Sequence, residues 1–222
     1  MLALNLALAG APALALFILA SHREHRRGRS ARAPSLARGW GIAAIAAALL
    51  AGVAVTPLRA GIGGAWRALF DAFILAGLVE ETAKYVAVLV VLRRTVLRAT
   101  VRSSGPAADA RDALVYGMVA GVGFAFVEST IYLGEPPPVM ILRAITAVPL
   151  HAATGAWIGS AVNLGRRAGS CAGPLGLAIA VVVHGVYDLM IAFGPPAAYA
   201  SLALALLSLA VTAGLYRLAP DA

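Results

Sequence analysis

The sequence predicts an all-α bundle of about seven transmembrane helices, forming one integral membrane domain over residues 1–222. Three observations predict it. The chain is 61% hydrophobic and only 13% charged, with mean hydropathy +0.86, whereas a soluble domain is about half apolar and a quarter charged. Apolar stretches recur from end to end, each about 18 residues or longer, which suffices to cross a bilayer as a helix. They are continuous rather than alternating, a pattern of helices and not of barrel strands. This composition excludes an ordinary soluble enzyme, a disordered chain and a nucleic-acid-binding domain, despite a formal net charge of +8. The bilayer is the expected partner, and neither nucleic acid nor nucleotide is.

Seven stretches follow in order: 2–20, 40–57, 68–92, 113–133, 141–164, 175–193 and 199–216. The first has no Lys or Arg ahead of it, and the Arg-rich run SHREHRRGRSARAPSLARG comes after it. A cleaved signal peptide carries its positive charge in front, so this stretch is expected to stay as the first helix, with the N-terminus outside. Segment 21–39 then lies inside with six Arg, and 93–112 lies inside with five. Arg166, Arg167 and Arg217 bring the inner total to fourteen, against Arg59 and Arg67 outside. The positive-inside rule therefore favours seven spans, a cytoplasmic C-terminus and a multi-pass protein of the cytoplasmic membrane.

The Arg-rich loops read as solvated segments near anionic headgroups. Gly134–Pro138 (GEPPP) and Gly194–Pro196 (GPP) read as outer turns. Gly117/Gly121 and Gly155/Gly159 have GxxxG spacing, which lets two helices approach closely. The single cysteine, Cys171, excludes a disulfide framework and any Cys-rich metal site.

The first, second and seventh stretches hold no acid, base or histidine, whereas the middle four hold a concentration of them. Charged groups inside a bilayer are costly and usually face the bundle interior with a function. The third stretch carries Glu80, Glu81 and Lys84, spaced so that either acid can reach the lysine on one helix. The fourth carries Glu128. In the fifth, Arg143 precedes Pro149 and His151, and a proline here opens space between helices. The sixth carries His184 and Asp188, one helical turn apart. At about 1.5 Å per residue, Glu80, Glu81, His151 and His184 fall near the midplane, with Glu128 about two turns outward. Titratable groups converging at one depth point to a hydrolase or to a proton-coupled transporter. A transporter is the rival expectation, and neither an inverted repeat nor a pair of broken spans is visible to support it. HExxH, the serine motif GxSG and the aspartyl motif GxGD are all missing from the sequence.

The ordered set of EExxK at Glu80–Lys84, GFxxxE at Gly123–Glu128, His151 followed by Gly159, and HxxxD at His184–Asp188 resembles the PrsW family of intramembrane proteases. That family looks related to the CAAX prenyl endopeptidase and Abi superfamily, where histidine tends to stand in place of Glu128. Asp112, Tyr116, Gly117 and Arg143 also fit the pattern, which covers about residues 68–193, the expected catalytic core. The resemblance implies cleavage of a membrane-embedded or membrane-proximal protein substrate, typified by anti-sigma factors, in stress signalling.

Peptide hydrolysis needs an activated water, an oxyanion stabiliser and a proton donor for the leaving amine. Glu80 is expected to be the general base, because the first acid of the pair looks like the water-activating one in the related superfamily. Helical geometry alone argues the other way, since Glu80 stands four residues ahead of Lys84. Glu81 and Lys84 would form the supporting ion pair, His151 and His184 would polarise water or stabilise the oxyanion, and Asp188 would orient His184. For a divalent metal such as zinc, Glu128, His151 and His184 are the expected ligands.

Overall fold

The computed structural model describes residues 1–26, 32–102 and 110–219. Helix makes up 92% of the structure, and there is no strand among the described residues. The elements are α1 (Leu2–Arg26), α2 (Arg32–Val55), a 3-10 turn (Thr56–Gly61), α3 (Gly64–Phe70), a π-helical segment (Asp71–Leu78), α4 (Val79–Arg102), α5 (Ala110–Ile131), α6 (Pro137–Ile145), α7 (Ala147–Ala168), α8 (Ala172–Ala192) and α9 (Pro195–Leu218).

Among the described residues, five helical stretches are long and apolar enough to cross a membrane: Ala37–Gly61, Ala110–Ile131, Pro137–Ala168, Ala172–Ala192 and Pro195–Leu218. They contain the expected second, fifth and seventh stretches, the sixth except for its last residue, and the fourth except for its last two residues. The other two differ for separate reasons. The first stretch lies in α1, whose apolar part Leu2–Ile18 is 17 residues long. The third is divided among α3, the π-helical segment and α4, with Glu80, Glu81 and Lys84 in its middle. The fifth stretch is also interrupted. α6 ends at Ile145, and Thr146 leaves helical geometry at φ −121° and ψ −60°. Pro149 follows in the first turn of α7, where its missing N–H costs little.

Burial orders the bundle. About two thirds of the apolar windows of α5 (61%) and of α6–α7 (67%) are buried, against 22–28% for α2, α8 and α9. The pair α5–α7 is therefore the centre, and the outer helices turn Leu49, Leu50, Val53, Ile179, Val182, Leu206 and Leu207 outward. Such an apolar exterior suits a lipid solvent.

The central crossing is as close as the glycine spacing requires. A Cβ at Gly117 or Gly121 would collide with the backbone of Gly155 or His151, and one at Gly155 or Gly159 with the backbone of α5. Backbones this close gain dispersion contacts that lipid cannot replace, and His151 sits on the inner side of the crossing. Gly121→Val is expected to separate the helices and lower stability by about 1–3 kcal/mol. A thermal unfolding midpoint in detergent equal to wild type would contradict this.

Contacts at the two ends order the helix termini. Asn5 Nδ2 donates to the carbonyls of Leu133 and Glu135, at 2.9 and 2.8 Å, so the start of α1 lies beside the α5–α6 turn. At the other end, Arg111 Nε donates to the Tyr216 carbonyl at 3.2 Å, and Arg94 stacks on Trp40 at 4.3 Å.

Candidate active site

Four elements bring the polar residues together: α4 supplies Glu80, Glu81 and Lys84, α5 Glu128, α7 His151, and α8 His184 and Asp188. The adjacent glutamates are about 100° apart around a helix, so they meet different surroundings.

Glu81 is fully buried and Lys84 is 1% exposed, with Lys84 Nζ donating to Glu81 Oε1 at 2.6 Å. The same oxygen accepts from His184 Nδ1 at 2.7 Å and from Thr154 Oγ1 at 3.2 Å. Lys84 Nζ also lies 2.6 Å from His151 Nδ1 and 3.4 Å from Thr154 Oγ1. One ion pair on α4 thus holds both imidazoles by their Nδ1 atoms and fastens α4 to α7 and α8. An ammonium only donates and a carboxylate only accepts. His151 Nδ1 therefore accepts, leaving its proton on Nε2, and His184 Nδ1 donates, so that in its neutral form the lone pair is on Nε2. The rings stand 4.9 Å apart and nearly perpendicular, at 87°. Phe124 closes the His151 side, its ring centroid 5.3 Å from the imidazole.

Glu80 lies on the open side. Its Oε2 is buried without a hydrogen bond, 3.8 Å from His184 Nε2. Asp188 Oδ2 lies 3.4 Å from the same nitrogen. Glu128 Oε2 lies 2.7 Å from Arg143 Nη2 and 3.0 Å from His151 Nε2. Arg143 also stacks on Tyr132, 3.8 Å from the ring centre. Glu80, Glu128, Asp188 and Tyr132 line a cavity of about 470 Å³.

Two placements differ from the sequence reading. His184 is oriented through Nδ1 by Glu81, whereas Asp188 approaches Nε2, the atom that faces the cavity. Among the described residues, the three whose donor atoms lie within 4.8 Å of one another are Glu80, His151 and His184, so the carboxylate of that group is Glu80 and not Glu128. The physical reason is Arg143, which already balances Glu128 across the α5–α6 turn.

Thr154, one helical turn beyond His151, was missed from the sequence although that spacing marks its face of the helix. The π-helical segment directly before Glu80 was missed as well. Segments of this kind recur at functional sites, and no sequence pattern announces this one. Here it packs Phe73 over Gly185 and Gly77 against Val181, setting α4 against the helix that carries His184.

A helical membrane bundle with Glu, His and a Glu–Lys pair around a polar cavity has the groups that an intramembrane hydrolase needs. The family model for the PrsW family intramembrane metalloprotease matches residues 27–215. The chain belongs to that family of intramembrane proteases, and it is a peptidase and a multi-pass membrane protein. No curated protein and no solved structure matches it.

Proposed function

We propose that the chain is a single-domain endopeptidase of the cytoplasmic membrane, with its catalytic core over 68–193, that cuts a membrane-embedded or membrane-proximal protein of the anti-sigma-factor type. Its topology is seven spans, the N-terminus outside and the C-terminus inside, supported by the fourteen-to-two distribution of basic residues. The observation that carries the mechanism is the division of labour between the two glutamates. Glu81 is fully buried and its Oε1 is taken by Lys84, His184 and Thr154, whereas Glu80 lines the cavity together with Glu128 and Asp188.

In this mechanism Glu80 takes a proton from the attacking water as the water oxygen bonds to the scissile carbonyl carbon. The Nε2–H of His151 opposes the oxyanion charge, and the Nε2 lone pair of His184 accepts a hydrogen bond that orients the water. Glu80 returns the proton to the amine as the C–N bond breaks. Lys84, Glu81 and Thr154 hold the imidazoles in place, and Arg143 pairs with Glu128 beside His151.

The residues fit a divalent ion such as zinc. His184 Nε2, Glu80 Oε2 and Asp188 Oδ2 are all electron-rich, and a positive charge belongs among them. Glu80, His151 and His184 would hold it, each through one atom. When bound, the ion supplies a Lewis acid for the carbonyl and the water.

The test is purified protein in detergent, incubated with a library of membrane-spanning peptides, with and without a chelator. Cleavage at defined bonds that the chelator suppresses and zinc restores is expected. Uncut peptides would return the cluster to the rival reading, a proton relay in a transporter.

A further inference from the structure

The cavity that reaches Glu80 does not end there. Arg59, Arg67 and Asp71 line the same space as Glu80, Glu128 and Asp188. The walls run from the 3-10 turn and α3 at one end of the bundle down to the polar residues of α4, α5 and α8. Charge is distributed unevenly along it. At the floor, Glu81 is balanced by Lys84 and Glu128 by Arg143, which leaves Glu80 and Asp188. At the mouth, Asp71 Oδ2 pairs with Arg59 Nη2. Arg67 is exposed and has no ion-pair partner among the described residues. Arg59 Nε is buried with no hydrogen bond, and so is Asp71 Oδ1. The mouth therefore has a net positive charge and an unused guanidinium donor within the passage to the floor.

We infer that Arg67, assisted by Arg59, reads an acidic side chain of the substrate on the outer side of the scissile bond. The inference rests on the proteolytic reading of the floor. Arg67 and Glu80 are separated by the last turn of α3 and the π-helical segment, a helical rise of about 18–20 Å. A substrate must be extended for its carbonyl to be attacked, and extended chain advances about 3.3 Å per residue. The acidic side chain thus falls about six residues outward from the cut. A guanidinium fork matches a carboxylate with two parallel hydrogen bonds, while a lysine there meets repulsion.

The experiment takes the best-cut peptide of the library and makes three versions, with Asp, Ala or Lys six residues outward from the cut. Each is reconstituted with wild type, Arg67→Gln or Arg67→Glu in neutral phosphatidylcholine vesicles and in vesicles containing phosphatidylglycerol. Wild type is expected to prefer Asp over Lys by about two- to fivefold in kcat/KM, the upper part of the range for an exposed pair. Arg67→Gln flattens the preference and Arg67→Glu reverses it toward Lys. Moving the Asp by three residues in either direction removes the advantage. Equal cutting of all three peptides by wild type overturns the inference. A loss in Arg67→Glu that is equal for every peptide and follows phosphatidylglycerol content also overturns it, making Arg67 a headgroup anchor. If wild type cuts no peptide in the library, the proteolytic reading itself falls, and this inference falls with it.

Discussion

Glu80→Gln is expected to abolish cleavage while leaving the protein inserted and as heat-stable as wild type. The amide keeps the shape of the side chain but does not take a proton from water, and loss of a general base costs about 10²–10⁴-fold. Stability is spared because Glu80 Oε2 has no hydrogen bond to lose. Glu81→Gln is the control with the opposite signature. It removes the charge opposite Lys84 and weakens the anchor of His184 Nδ1, so both activity and the unfolding midpoint fall. Measuring cleavage and thermal stability for both variants decides the roles. If Glu80→Gln turns over while Glu81→Gln is inert but stable, Glu81 is the base.

Lys84→Met is expected to have the largest effect on stability. Methionine fills nearly the same volume with a flexible apolar chain, so the loss is electrostatic rather than steric. It leaves Glu81, which is fully buried, as an uncompensated charge, and breaking a buried pair from one side costs about 3–5 kcal/mol. The same change removes the contact to His151 Nδ1, so activity falls too. Replacing both partners, as in Glu81→Leu with Lys84→Met, is expected to recover most of the stability, because paired buried charges exchange well for apolar groups. Activity stays lost, since neither imidazole is held. Unfolding curves in detergent for the single and double variants check this. A single variant as stable as wild type would mean that the pair does not tie the helices together.

Much of this arrangement was legible in the sequence, because the bilayer leaves few choices. Long apolar runs become helices, and Glu80, Glu81, Lys84, Glu128, His151 and His184 stand out in a chain that is 61% hydrophobic. The glycine spacings of α5 and α7 marked the closest crossing for the same reason. What was not legible is which side chain each group meets across helices. The i,i+4 preference for Glu80 with Lys84 is worth only about 0.2–0.5 kcal/mol. It is overridden by His184 and Thr154, which converge on Glu81 from two other helices. Arg143 shows the same limit. Its place in the sequence says little, yet across the α5–α6 turn it pairs with Glu128, leaving Glu80 to join the two histidines. The π-helical segment was hidden because its residues, DAFILAGL, are as apolar as an ordinary span.

The central claim is that Glu80 activates water for peptide hydrolysis in this cavity. Its most direct test is cleavage of the best-cut membrane peptide in water enriched in oxygen-18, with the products read by mass spectrometry. Wild type is expected to place one heavy oxygen in the new C-terminal carboxylate, and Glu80→Gln, equally folded, to give no labelled product. Labelled product from Glu80→Gln at the wild-type rate would contradict the account.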